Sequence, residues 1–375
     1  MTTDRPLKIL HLRSSNFYGG PERQIHFHAK LAKQAGIDIC VASFSEENDT
    51  PELLNKASRD GIKTKLFTVK NAYDSNAIRL IREYIDDNQV DILCSHEYRS
   101  HYYGFRACNG STAKWLAFSR GMTTENLKIR IFTFLEKYLL RKADHIVAVS
   151  ESQKRKLINQ SLKPENITTV HNAIDLSFID AIPAVSIREK FRFQPDNYIC
   201  ISAGRFSEEK GQSYFVRAAE IALRKNDKLR FVLFGDGPDL IKIQEYIKQR
   251  NLEEYILCPG FEADVLPLIT TADLHVNSSL SAVLPNIVLS SLHHETPVVL
   301  TNVGGHPEIV SDNRSGYIVE PKDIDQLAEK ILLCASDRSK QADFISESKK
   351  VLRNKFSFES QNDKLRRVYE IQADA

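Results

Sequence analysis

Short apolar, β-rich runs alternate with helix-patterned segments along most of the chain, and glycine or proline marks many of the changes. Lys8 to Leu12, Ile37 to Phe44, Val90 to Ser95, Lys114 to Ser119, His145 to Ser150 and Thr168 to His171 read as strands of a first half. Tyr198 to Ala203, Leu229 to Gly235, Tyr255 to Cys258, Ala272 to Asn277 and Pro297 to Thr301 do the same in a second. Strands buried on both faces carry such runs, and parallel strands need a crossover between them, usually a helix. The class expected is α/β, with two facing Rossmann-like domains and a cleft between them. The boundaries expected are 1–180 for the first domain, 181–197 for a linker holding Pro183 and Pro195, and 198–355 for the second.

Ligands of open α/β sheets bind at the carboxyl ends of strands, beside helix N-termini. In Ile201-Ser-Ala-Gly-Arg-Phe-Ser-Glu-Glu-Lys-Gly211 a strand stops at Gly204 and a helix follows Gly211. Arg205 and Lys210 lie between, two cations that suit a diphosphate, although a solvated turn has the same composition. This is no Walker loop, because the lysine precedes the glycine and no Ser or Thr follows as that motif requires. Gly19-Gly20 puts bare backbone at another strand-to-helix corner, for a ligand or only for a tight turn. No G-x-G-x-x-G fingerprint is present in that loop. His96 and Arg120 each follow a strand directly, so both fall at the ligand edge, and His96 is equally readable as a core or capping residue. Pro285 opens a helix whose first N–H groups form an anion site, with Asn286 and Ser290 on one face. His293-His294 point about 100° apart on that helix and have no third ligand in spacing, so no metal is expected.

The chain has 375 residues, 42% hydrophobic and 27% charged, with a net charge of +2. That balance argues against nucleic-acid binding as the main task. Cys40, Cys94, Cys108, Cys200, Cys258 and Cys334 form no C-x-x-C pair and read as reduced core thiols of a cytoplasmic protein. No signal-peptide pattern and no apolar run of membrane-spanning length is found. From Arg99 to Lys156 there are 12 Lys or Arg against 4 Asp or Glu. Within that stretch Lys128, Ile129, Arg130, Ile131, Phe132, Phe134, Leu135, Tyr138 and Leu139 mix cations with large apolar groups. Peripheral contact with an anionic membrane on its inner face is one reading, and a core-facing helix with a solvated basic back is the other.

Taken in order, several segments resemble family 4 of the GT-B glycosyltransferases. They are Gly19-Gly-Pro-Glu-Arg23, Asp91 to His96, Ala143 to Glu151, Val170 to Asp175, Gly204 to Gly211, Gly235 to Pro238, Ala272-Asp273, Leu284 to Asn286, Thr296 to Val299, Gly304 to Glu308 and Gly316 to Val319. The resemblance implies a retaining, metal-independent enzyme without a cofactor. It would move a sugar from a UDP- or GDP-linked donor to a glycan or lipid-linked acceptor in cell-surface polysaccharide or glycolipid synthesis. Arg205 and Lys210 would hold the donor diphosphate. Gly19 and Gly20 would approach its phosphates, and His96 would lie near the transferred sugar. The turn at Phe261 would meet the base. Asn286, Ile287 and Val288 would meet phosphate and sugar, with Ser279 and Ser290 as further donor contacts. Arg99, Arg120 and Asn172 fall on the acceptor or sugar side. A C-terminal helix over 357–373 is expected to pack back on the first domain. Ala282 and Ser290 stand where the resemblance leads one to expect a pair of glutamates. That departure motivates the alternative of a weak or inactive relative acting as a binding or partner subunit.

Overall fold

Two parallel sheets carry the fold, each in its own compact unit: Met1–Ala173 with Phe358–Ala375, and Ile174–Ser357. The computed structural model describes residues 5–15, 17–46, 49–71, 73–121, 127–176 and 186–374, with the side chains of 127–133 outside that description. In the first unit the strands are β1 (Lys8–Leu12), β2 (Asp38–Ser45), β3 (Lys63–Thr68), β4 (Ile92–Ser95), β5 (Lys114–Ser119), β6 (His145–Ala148) and β7 (Ile167–Thr169). Between them run α1 (Gly20–Gln34), α2 (Glu52–Arg59), α3 (Ser75–Asn88), α4 (Tyr98–Cys108), α5 (Leu127–Leu140) and α6 (Glu151–Asn159). The sheet order is β3-β2-β1-β4-β5-β6-β7.

The second unit begins with α7 (Ile187–Phe191) and has strands β8 (Tyr198–Ala203), β9 (Leu229–Phe234), β10 (Ile256–Gly260), β11 (Leu274–Asn277), β12 (Val298–Thr301) and β13 (Tyr317–Val319). Its remaining helices are α8 (Gln212–Leu223), α9 (Leu240–Gln249), α10 (Leu266–Ile269), α11 (Asn286–His293), α12 (His306–Ile309), α13 (Ile324–Ser336) and α14 (Arg338–Lys355). The order is β10-β9-β8-β11-β12-β13. The last helix, α15 (Phe358–Asp374), clusters with the first unit.

Alternation along β1 supplies both faces of the first sheet. Leu10 and Leu12 pack with Leu93, Trp115 and Ile146 on one side. On the other, Ile9 packs with Ile92, Leu116 and Val147, with Ile25 and Ala29 of α1, and with Leu365, Val368 and Tyr369 of α15. Each such large side chain removed from water contributes about 1.5–3 kcal/mol. β8 repeats the pattern, with Cys200 on one face and Ile199 and Ile201 on the other. Each sheet reverses its direction of strand addition once, between β1 and β4 and between β8 and β11. A crevice forms at the carboxyl ends beside such a reversal.

Some elements differ from expectation. Between Phe44 and Asn76 none is expected, yet the structure has α2 and β3; β3 is an edge strand whose Lys63 and Lys65 are exposed, which hides its pattern. The strand expected over Tyr255 to Cys258 runs on through Pro259 and Gly260 in β10, an edge strand whose register shifts between Leu257 and Gly260, where proline is tolerated. Of the linker expected over 181–197, residues 181–185 lie outside the described residues. Residues 186–197 are built into the second unit: Ile187 is fully buried, its N–H donates to Thr271 Oγ1, and Arg188 pairs with Asp273 at 2.6 Å. The second unit starts earlier than expected, because Ile174 bridges Ser357 and packs with Leu352 and Phe356.

Candidate active site

In the second unit the turn after β8 is held by backbone. Gly235 (φ 139°) is so close to Gly204 that a Cβ there would lie 1.9 Å from the Gly204 carbonyl oxygen. Phe206 N–H donates to the Asp236 carbonyl at 2.9 Å, and Asp239 N–H to the Phe206 carbonyl at 3.2 Å. A single turn of 3-10 helix, Glu208–Lys210, then ends at Gly211 in the left-handed region (φ 66°). A Cβ on Gly211 would lie 2.2 Å from the Ser278 carbonyl oxygen, just past β11. Ser278 Oγ donates to the Gly211 carbonyl at 3.0 Å, and Leu280 N–H donates to the Glu209 carbonyl at 2.7 Å. Gln212 reaches back to the Arg205 carbonyl at 2.7 Å. Arg205 is exposed and Lys210 half-buried on this braced turn, at the reversal between β8 and β11.

Neighbouring turns close around it. Gly304 (φ 53°) abuts Ala282, where a Cβ would fall 1.4 Å from the carbonyl oxygen. Ser279 is buried, its hydroxyl donating to Asn277 Oδ1 at 2.7 Å, and Thr301 Oγ1 donates to the Ser279 carbonyl at 2.6 Å. His306 Nδ1–H donates to the Thr301 carbonyl at 2.8 Å, which leaves Nε2 as a buried acceptor with no protein partner among the described residues. Burial holds His306 down at about 4; the Thr301 carbonyl opposes that and the charge of Lys210 adds to it. α11 begins at Asn286 with Pro285 as its cap; Ile287 is half-buried, Val288 and Ser290 are buried, and Asn286 Oδ1 is a buried acceptor with no partner among the described residues. Phe261 is 69% exposed just beyond β10.

The first unit's edge is built from side chains. His96 follows β4 and is 2% exposed. Its Nε2 lies 2.8 Å from His11 Nδ1, and its Nδ1 lies 3.3 Å from Arg120 Nη2. Arginine only donates, so His96 Nδ1 accepts and its proton sits on Nε2. The order then propagates: His96 donates to His11, His11 Nε2 donates to Tyr369 Oη at 3.3 Å, and Tyr369 donates to His28 Nε2 at 3.0 Å. Burial pushes His11 and His96 well below the usual imidazole range and His28 to about 4, so this chain is uncharged near neutrality. Arg13, directly after β1, donates from Nη1 to the His96 carbonyl at 2.9 Å and from Nε to Glu22 Oε1 at 2.8 Å. Arg120 Nη1 donates to Asn172 Oδ1 at 3.0 Å.

Thus the structure brings His96, Arg120 and Asn172 together. Arg99 is held apart from them, against Glu46 at 3.1 Å and the Asn71 carbonyl at 3.2 Å. Gly19 caps α1 and Gly20 is its first residue; Gly19 N–H donates to Glu22 Oε2 at 3.0 Å, and a Gly19 Cβ would meet the Phe17 ring, 66% exposed, at 2.6 Å and Glu22 Oε2 at 3.4 Å. Arg13, His11, Glu22 and Tyr369 are not expected from sequence. Arg13 was findable, because it follows the first strand of its sheet as Arg205 follows β8 with one glycine between. His11 carried a weaker signal, a polar residue inside an apolar strand. Tyr369 carried none. Of the basic-apolar helix, residues 128–132 have side chains outside the described ones; Phe134, Leu135 and Tyr138 are exposed and Leu139 is buried. Among the described residues no helix is long and apolar enough to cross a membrane, and no three His, Cys, Asp or Glu groups come together to hold a metal ion.

Residues 18–178 match the family Glycosyltransferase Family 4, and residues 185–351 match Glycosyl transferases group 1. The chain is 21% identical over 352 residues to the UDP-Gal:alpha-D-GlcNAc-diphosphoundecaprenol alpha-1,3-galactosyltransferase of Escherichia coli, covering 90% of each. It is 25% identical over 244 residues to EpsD of Bacillus subtilis, covering 62% of this chain and 60% of that one. Among solved structures, HepE of Anabaena in complex with UDP superposes with a TM-score of 0.82 at 18% identity, covering 97% of this chain and 100% of that one. A glycosyltransferase of Rickettsia africae gives 0.81 at 20% identity, covering 98% of each.

Proposed function

We propose a donor, an acceptor class and residue roles from one premise: the chain belongs to the family 4 glycosyltransferases of the GT-B fold. It transfers a sugar, with retention, from a UDP- or GDP-linked donor to a lipid-linked or polysaccharide acceptor. The names of the Escherichia coli relative and of HepE with its UDP favour uridine.

The observation that carries this reading is the braced turn with Arg205 and Lys210 at the β8/β11 reversal, with Asn286 at the start of α11 in the same unit. Two cations and the free N–H groups of a helix start stabilise the charge that grows on a diphosphate as the glycosidic bond breaks. Front-face attack, with that leaving phosphate taking the acceptor's proton, gives retention. Phe261 meets the base, and Ser279, Ile287, Val288 and Ser290 line the phosphate and sugar. Where paired glutamates are expected, Ala282 offers only backbone and Ser290 a hydroxyl, so hydrogen bonds to the sugar fall to neutral groups such as His306 Nε2. Gly19 and Gly20 approach the donor phosphates, and His96, Arg120 and Asn172 serve the sugar and acceptor; His96, with both nitrogens engaged, acts by holding Arg120.

Thermal unfolding against UDP, GDP and ADP tests the donor site. A ligand at 100 times its Kd adds about 2.7 kcal/mol. The expected result is a rise in Tm with one nucleotide, absent in Arg205→Ala and in Lys210→Ala, both of which also lose transfer. Full turnover in both variants would overturn the assignment. Peripheral membrane contact through Phe134, Leu135 and Tyr138 is part of the same proposal. The protein should sediment with anionic vesicles at low salt, and failure to do so removes that part alone.

A further inference from the structure

We propose that Arg13 and Arg120 form an oxyanion-binding site in the first unit, taking a phosphate or carboxylate group carried by a substrate. This goes beyond the donor site, whose cations Arg205 and Lys210 belong to the second unit. The two guanidiniums bracket one residue: Arg13 holds the His96 carbonyl at 2.9 Å and Arg120 approaches the His96 ring at 3.3 Å. The side chains they bracket supply no compensating charge. His96, His11 and His28 are neutral, and Glu22 is the one carboxylate paired with either arginine among the described residues. The nearby Glu97 is occupied by three backbone N–H groups, those of Ser14, Arg99 and Ser100.

Two positive groups therefore share one carboxylate, and Glu22 sits on Arg13. Burial and the charge of Arg13 pull Arg120 down to about 9, and Glu22 only partly opposes this. Of the five donors on a guanidinium, two are used by Asn172 and His96, and Arg120 Nε–H is buried without a partner among the described residues. A planar fork with open donors, held from behind by a neutral hydrogen-bonded chain, is suited to an oxyanion. The place agrees with this, since Arg13 and Arg120 follow β1 and β5, at the carboxyl edge beside the reversal between β1 and β4.

The test is calorimetric titration at pH 7 with inorganic phosphate and, separately, glucuronate. The parent is the Arg205→Ala/Lys210→Ala double variant, which removes the donor-site cations. At least one probe should bind the parent, and Arg120→Gln or Arg13→Gln should each weaken it by about tenfold to a hundredfold. Arg120→Lys keeps charge without the fork and should fall between. Binding of phosphate alone assigns a phosphorylated substrate, glucuronate alone an acidic sugar, and both an oxyanion read without regard to its carrier. No binding of either probe to the parent overturns the proposal, as does equal binding by the parent and both glutamine variants. Melting of each variant checks folding; if Arg120→Gln fails it, Arg120→Lys and Arg13→Gln decide. These titrations read binding alone, so a failure to find sugar transfer counts against the proposed function and leaves this site standing.

Discussion

At the carboxyl edge of the first sheet, side chains make the candidate site; at the same edge of the second, backbone does. The first has Arg13, His96 and Arg120 beside an interior chain of imidazoles and a phenol that passes through Tyr369 of α15 and ends at His28 of α1. The second has four turns pressed together until five of their glycines, Gly211, Gly235, Gly237, Gly304 and Gly305, have no room for a Cβ. Both sheets share one order over six strands, with β7 added at the edge of the first, so topology places a ligand edge in each without deciding what builds it. The difference bears on evolvability: a side-chain site can change ligand by substitution, while a backbone site keeps its shape and resists it.

Glycine substitution is the strongest way to break this contrast. Gly304→Ala, Gly235→Ala and Gly211→Ala each force a Cβ into a carbonyl oxygen at 1.4, 1.9 and 2.2 Å, at residues with positive φ. Each should cost about 3 kcal/mol or more and abolish nucleotide binding. Gly19→Ala meets no backbone, only the exposed Phe17 ring and the Glu22 carboxylate, and should cost under about 0.5 kcal/mol by chemical denaturation. Equal costs in the two units would end the distinction.

Acid should come next. His28 and His306 are held at about 4 and His275 at about 3, chiefly by burial. Each is below its unfolded value, so the unfolded chain binds the extra proton between roughly pH 6.5 and 4. Stability is full above that window and falls as pH drops through it, by on the order of 3 kcal/mol for each histidine. Denaturant midpoints at pH 7, 5.5 and 4.5 measure it. With His11 and His96 also depressed, the first unit should lose more than the second, and a flat profile would contradict the neutral chain.

The smallest effect sharpens the comparison. Tyr369→Phe keeps the ring and removes the hydroxyl that joins His11 to His28. Two buried nitrogens then lose their partner, at a cost of about 1–3 kcal/mol. Anion binding at Arg120 should weaken while nucleotide binding by the second unit is unchanged. A parallel loss of both would mean that the variant acts through general unfolding.

Much of this was legible in sequence wherever one residue faces one environment. β1, β8 and β9 are buried on both faces and so are mostly apolar, with His11, Ser202 and Arg230 among the polar exceptions. The Arg205–Lys210 turn, His96 and Arg120 are legible because position after a strand is itself information in a parallel sheet. β3 was not legible, since an edge strand with Lys63 and Lys65 outward has half a pattern. The start of the second unit at Ile174 was not either, because a single isoleucine in a short irregular segment does not announce that it packs against Phe356.

What the sequence by itself determined is the alternation of strand and helix, the strand ends, and hence which cations stand at a ligand edge. Local pattern suffices for these, because burial and chain direction are imposed residue by residue. Only the tertiary structure decided that Tyr369 lies against His11, 358 residues away in sequence, and that Gly304 meets Ala282. A hydrogen bond's direction and a missing Cβ's clearance depend on the partner's atoms, and packing alone brings those partners into contact.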